Sequence, residues 1–233
     1  MSTDYDVEKG DSVHPGKPVI VDRYTAGARV NHWITAVSLV LLALSGLALF
    51  HPSLFFLTGL FGGGPLTRII HPWIGVLLFF SFFGLFLRFW KANLWKREDG
   101  TWLARLRDVL TGHEERLPDV GKYNAGQKFV FWSMSALIIV LITTGLIIWD
   151  QYFSLFTTIE QKRWAVLIHA IAAVCAISVW IIHVYAAIWV RGTIRAMTRG
   201  SVTGGWAWRH HRKWLRELVG RAPKGKSGNT PAE

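Results

Sequence analysis

Cysteine is nearly absent from the 233-residue chain, where Cys175 stands alone. One thiol closes no internal disulfide and holds no iron–sulfur cluster, which takes about four cysteine ligands. It lies inside an apolar run, where a small core residue is the plain reading. Acidic residues are missing over two long windows, between Arg23 and Arg97 and between Gln161 and Arg216. A soluble amphipathic helix keeps a charged face towards water, and these windows supply none. That excludes a water-soluble bundle. The first 28 residues lack the opposite feature, an apolar stretch; they are polar, with acids at Asp4, Asp6, Glu8 and Asp11, so no cleavable signal peptide is expected.

The apolar residues gather in four runs, at 32–50, 69–89, 128–149 and 164–190. Crossing hydrocarbon takes about 20 predominantly apolar residues. Each run therefore predicts a transmembrane helix, and the expected fold class is all-α, a four-helix transmembrane bundle. The net charge of +11 is unevenly placed. The N-terminal arm, the 88–128 loop and the tail from Arg191 hold 4, 9 and 10 of the 26 Lys and Arg, while the two opposite loops hold only Arg68, Lys162 and Arg163. Basic loops stay on the cytoplasmic side, so both termini and the central loop are expected there. Topology and contact with lipid headgroups then account for the basic excess. No nucleic-acid motif accompanies it, and no nucleic-acid partner is expected.

Along the chain, residues 1–28 form a cytoplasmic arm, aperiodic and carrying Pro15 and Pro18, which is expected to be disordered. The bundle domain covers 29–200. Residues 201–233 form a cytoplasmic interfacial segment and tail, in which Trp206, Trp208 and Trp214 alternate with basic residues. Gly62-Gly63-Gly64-Pro65 marks a turn between the first two spans. The 91–127 connection holds an expected surface helix at 102–110, with apolar residues around Arg105 and Arg107. Spans 1–2 and 3–4 make two hairpins without an evident sequence repeat.

Five of the nine histidines lie in or beside the spans: His32, His51, His71, His169 and His183. An ionisable residue inside a bilayer is costly and is a functional candidate by default, although a hydrogen bond to a neighbouring helix explains any single one. Their depths say more. With alternating spans, His32 falls at the inner end of the first and His71 at the outer end of the second. His169 lies near the outer end of the fourth, and His183 follows fourteen residues later, roughly 21 Å deeper and within about 40° of the same helix face. Two stacked pairs are predicted, His71 with His169 at the outer level and His32 with His183 at the inner level. Imidazoles on facing helices are what a six-coordinate haem needs. Two b-type haems are expected.

Small residues let backbone approach a haem face, and Gly46, Gly84 and Gly145 fall near the levels of the pairs; helix packing explains each glycine alone. His51 competes for the outer site, but it is turned about 100° from the His32 face and precedes Pro52, a helix stop. It is assigned to the interface. His113, His210 and His211 lie in polar or basic segments and are expected to be solvated.

These residues resemble one family, the cytochrome b (gamma) subunit of respiratory formate dehydrogenases. The resemblance is carried by Arg29-Val30-Asn31-His32-Trp33, Arg68-Ile69-Ile70-His71-Pro72, Gly121-Lys122-Tyr123-Asn124-Ala125-Gly126-Gln127-Lys128, Leu167-Ile168-His169-Ala170 and Ile182-His183-Val184-Tyr185. The segment from Trp206 to Trp214 is similar too. The likeness covers about residues 20–217, and the acidic arm looks like an addition. It implies haem iron held by His71 and His169 outside and by His32 and His183 inside. It also implies a menaquinone or ubiquinone pocket at Asn124, Gly126 and Gln127, with His183 beside it. The partners it implies are an iron–sulfur (beta) subunit and a molybdenum or tungsten catalytic (alpha) subunit, in a bacterial inner membrane.

The plain alternative for this block is that Tyr123-Asn124-Ala125-Gly126 is a helix start, with Asn as the cap. Two other functions stay open: the cytochrome b of another respiratory enzyme, such as an uptake hydrogenase or thiosulfate reductase, and a haem-free membrane anchor or transporter. Transporters show broken helices or paired acids within the bilayer, and neither is present in the sequence.

Overall fold

The computed structural model describes residues 7–221. The arm's first six residues, with Asp4 and Asp6, and the end of the polar tail lie outside them.

Two antiparallel helical hairpins form the body. After the short strands β1 (Ser12–His14) and β2 (Ile20–Asp22), helix α1 (Ala26–Phe50) runs away from the termini and α2 (Gly64–Phe89) returns. Thr25 starts α1 by accepting a hydrogen bond from the Ala28 N–H, and Pro52 stops it at His51. A 3-10 segment, Pro52–Phe61, leads to Gly62 and Gly63, both at positive φ. Only glycine takes that conformation without steric cost, which is why the glycine run makes the turn. Short helices α3 (Arg97–Ala104) and α4 (Leu106–Leu110) fill the connection to the second hairpin. That hairpin is α5 (Ala125–Ile148), the single turn α6 (Asp150–Phe153) and α7 (Ile159–Trp189).

Four helices, α1, α2, α5 and α7, are long and apolar enough to cross a membrane. Each begins three to six residues before the apolar run that announced it, because its N-cap lies outside the apolar stretch. Thr158 caps α7 as Asn124 caps α5, each with a Gln three residues on closing a capping box. The hairpins meet through Leu39, Leu78, Met134, Ile138 and Ala176, which form one buried cluster. Most other large apolar side chains face outward, among them Phe80, Ile139 and Ile182. That inversion is expected of a bundle whose solvent is hydrocarbon.

The termini end carries a second, smaller core. Helices α8 (Thr193–Arg199), α9 (Gly204–His210) and α10 (Arg212–Arg221) surround strand β3 (Ser201–Thr203). The sheet is antiparallel in the order β1-β2-β3, with Val21 opposite both Val13 and Val202.

The expectation of disorder in the arm is therefore corrected for its described part. Val21 is wholly buried against Val202, Trp206 and Trp214. Glu8 and Asp11 grip the Lys122 ammonium at 2.9 and 2.7 Å. The arm has few apolar residues of its own, but it shares the core and the charge of segments far away in sequence. Trp206 and Trp214, expected at an interface, are core residues for the same reason; Trp208 is exposed. His211, expected to be solvated, is buried as well. The surface helix expected at 102–110 is broken at Arg105, and Trp102 is buried against α5.

Candidate functional site

The four bundle histidines meet as two pairs. His71 on α2 and His169 on α7 face each other with ring centroids 6.4 Å apart. His32 on α1 and His183 on α7 do the same at 6.3 Å. Two in-line metal–nitrogen bonds of about 2 Å each, with half an imidazole ring added on either side, give a similar separation. Each pair is thus spaced to hold one metal atom between its rings.

The far pair, remote from the termini, is tied down by hydroxyls. His71 Nδ1 lies 2.7 Å from Ser45 Oγ, and His169 Nδ1 lies 2.8 Å from Thr144 Oγ1. The residue after each hydroxyl is a glycine. A Cβ on Gly46 would come within 3.3 Å of the His71 ring, and one on Gly145 within 3.5 Å of the His169 ring. Sequence reasoning placed both glycines at this level and missed the two hydroxyls. Beside His169, a groove lined by Thr144, Ile147, Gln161, Trp164, Ala165 and Ile168 runs between α5 and α7. The near pair differs: His32 Nδ1 is buried without a hydrogen-bond partner.

Gly84 faces α1. A Cβ there would fall 2.9 Å from Asn31 Nδ2, so this glycine makes room for an amide. Asn31, Thr35 and Ser81 form a hydrogen-bonded group between α1 and α2 one residue from His32, with Ser81 Oγ donating to Asn31 Oδ1 at 2.7 Å. His51 stays out of both pairs; it is exposed, and its Nδ1 accepts from the Ser53 N–H.

Asn124, Gly126 and Gln127 come together at the termini end. The Asn124 side-chain oxygen accepts from the Gln127 N–H at 3.0 Å, and the Gln127 side-chain oxygen accepts from the Asn124 N–H at 3.1 Å. The helix-start reading of this block is thus realised in full. Both amide oxygens are used by the cap, and the two side-chain NH2 groups remain as donors. Gly126 lies against the Trp102 indole, 3.2 Å from where a Cβ would stand. A cleft beside Asn124 is lined also by Trp102, Val120, Val190, Arg209 and His210.

Beneath this block sits a charged and aromatic layer. The Arg23 guanidinium lies 4.9 Å from the Trp214 ring and 5.1 Å from the Trp206 ring, and it donates to the Lys122 carbonyl. Burial raises the Glu8 carboxyl above its ordinary value, against the pull of Lys122. Burial also raises the Tyr123 phenol, and burial with the nearby Arg23 charge lowers the His211 imidazole.

A model of the family described as prokaryotic cytochrome b561 matches residues 23–200. The chain belongs to that family. As a prokaryotic cytochrome b561 it is a multi-pass membrane protein with a haem b electron-transfer role. It is 44% identical over 196 residues to the formate dehydrogenase cytochrome b556(fdo) subunit of Escherichia coli (strain K12), covering 84% of this chain and 92% of that one. It is 42% identical to the nitrate-inducible formate dehydrogenase cytochrome b556(Fdn) subunit of the same strain, over 82% and 88% of the two chains. The formate dehydrogenase cytochrome b556 subunit of Haemophilus influenzae is 38% identical over 84% of this cytochrome b561 chain and 83% of its own.

The donor set suits the haem that a cytochrome b561 carries. The paired rings are neutral nitrogen donors, and Gly46 and Gly145 leave backbone bare beside the far pair. The buried His32 Nδ1 has no hydrogen-bond partner among the described residues, so no protein hydrogen bond competes for that ring.

Proposed function

We propose that the chain is the membrane-anchoring dihaem cytochrome b (gamma) subunit of a formate dehydrogenase complex in a bacterial inner membrane, with both termini cytoplasmic. It carries electrons from an iron–sulfur (beta) subunit to menaquinone or ubiquinone, while formate is oxidised on a separate molybdenum or tungsten (alpha) subunit. The observation that carries this reading is the repetition along α7. His169 and His183 each meet a partner ring at nearly the same separation, 6.4 and 6.3 Å. A histidine kept for helix packing has no reason to repeat that spacing. The names of the relatives supply the complex.

Haem b supplies a one-electron couple when bound. His71 and His169 would hold it at the outer level, His32 and His183 at the inner level. Neutral imidazoles at these four positions bring no formal charge into hydrocarbon. On the cytoplasmic side, the amide NH2 groups of Asn124 and Gln127 are the donors for a quinone carbonyl. Gly126 and Trp102 shape the wall beside them, and the family resemblance adds His183 on α7. The cleft at Asn124 supports this placement, since it opens where the 102–120 connection meets the start of α5, with Val190, Arg209 and His210 on its other side.

A pyridine haemochrome assay on purified protein tests the reading, with about two haems per chain expected. A preparation without haem ends it. Mild purification from the native membrane should also bring along an iron–sulfur chain and a molybdopterin chain; a nickel-containing partner in their place would assign the cytochrome to a hydrogenase.

A further inference from the structure

The two histidine pairs differ in what holds their second ring nitrogen. Ser45 Oγ–H donates to the Leu41 carbonyl at 2.7 Å, so its proton is already committed. Thr144 Oγ1–H donates to the Val140 carbonyl, also at 2.7 Å. Each oxygen can therefore only accept from the imidazole beside it. Nδ1 of His71 and of His169 must carry the proton, which leaves Nε2 as the bare donor atom on both rings. Ser45 and Thr144 are wholly or nearly buried, so water does not compete for the bond. Each is followed by the glycine that lets the ring approach, and each sits on the hairpin partner of the helix whose histidine it holds. Among the described residues, no hydrogen bond reaches the side chain of His32 or His183, and His32 Nδ1 is buried and orphaned.

We propose that Ser45 and Thr144 are positioning residues that fix the tautomer of His71 and His169 and set the outer haem at a lower reduction potential than the inner one. The inference rests on the ligand assignment above. An Nδ1–H that donates a hydrogen bond makes its ring more electron-rich at Nε2, and a more basic ligand favours the ferric over the ferrous ion. The couple exchanges one electron, and no bond to hydrogen forms or breaks, because both hydroxyl protons stay on backbone carbonyls. An outer level that gives up its electron more readily than the inner one makes transfer towards the cytoplasmic side downhill. The Ser45 and Thr144 contacts build that direction into two hairpins that otherwise present the same pair of rings.

The test is potentiometric titration of the purified holoprotein, with haem content measured alongside. The outer component is identified as the one that survives in His183→Ala. Wild type should show it titrating below the inner component. Thr144→Val removes the hydroxyl at nearly constant shape and should raise the outer component by about tenfold in the ferric–ferrous equilibrium, about 59 mV for one electron. Ser45→Ala should act in the same direction, and Thr144→Ser should restore the wild-type value. Loss of the outer component in Thr144→Val, recovered in Thr144→Ser, supports the same role. An unchanged potential in Thr144→Val, equal behaviour of the Val and Ser variants, or a wild-type outer component above the inner one overturns the proposal. Fewer than two haems in wild type would instead refute the ligand assignment itself.

Discussion

His183 and Asp99 show how differently single side chains carry this protein. His183 pairs with His32, so His183→Ala deletes one side of the inner pair and leaves the outer pair untouched. The variant should lose the inner haem and quinone reduction while the outer haem persists, as read from low-temperature optical spectra and a quinone-reduction assay; menaquinone reduction at the normal rate would refute the electron route. Asp99 acts through charge. Its carboxylate accepts from Lys128 Nζ at 2.6 Å, and both side chains are almost fully enclosed. Removing one partner of such a pair strands the other charge, at about 3–5 kcal/mol. Asp99→Ala should lower the thermal stability accordingly, whereas Asp99→Leu with Lys128→Met should recover most of it in the same melt. The four histidines were legible because their depth and face follow from helix geometry alone. Ser45 and Thr144 were not, since serine and threonine in a span commonly bond their own helix, and only the approach of the neighbouring ring gives them a second task.

At the scale of the element, the start of α5 leaves room for both readings that sequence reasoning had set against each other. Asn124 was read as a quinone ligand or as a helix cap, and its oxygen does cap the helix. Capping uses the acceptor of the amide and leaves the donor, so the two roles are compatible. Asn124→Ala removes both. Loss of a cap costs about 1 kcal/mol, which should appear as a small drop in melting temperature with both haem spectra intact. Binding of a quinone-site inhibitor should weaken by a larger factor, and Asn124→Ser, which caps without the NH2 donors, separates the two effects. Unchanged inhibitor affinity in both variants moves the pocket elsewhere. The four spans were readable from length and hydropathy to within a few residues, because the bilayer imposes the period. The broken helix at Arg105 was not, since its apolar pattern continues across a break that Trp102, buried against α5, imposes from outside.

The whole molecule is a membrane bundle closed at one end by a cap built from both termini. Nothing local predicts this cap: β2 pairs with β3 from the far end of the chain, and Lys122 meets carboxylates of the arm. His211 is a titratable member of this cap. The ring is buried, its Nδ1 is 2.8 Å from the Gly121 carbonyl, and Arg23 Nη2 lies 3.5 Å from its Nε2. Nδ1–H therefore donates and Nε2 accepts, a neutral ring. Burial and the Arg23 charge hold its pKa well below the ordinary 6.5. A group depressed in the folded state contributes full stability above its unfolded value and loses it as pH falls from there towards the folded value. The cap should therefore loosen as pH drops below about 6.5. Glu8 works with the opposite sign, because its raised pKa means acid relieves a buried charge, in a window that opens at the raised value and closes near its ordinary 4.5. Tryptophan fluorescence melts at pH 7.5 and 5.5 read the His211 contribution, since Trp206 and Trp214 pack directly on the His211 ring. Wild type should lose several degrees between these pH values. His211→Asn keeps a donor for the Gly121 carbonyl and has nothing to protonate, so it should show no loss at pH 5.5; equal acid sensitivity in this variant would place the titrating group elsewhere. Because Gly121 begins the block that leads into Asn124, the same loosening should weaken inhibitor binding at the quinone site while leaving the outer haem's spectrum unchanged.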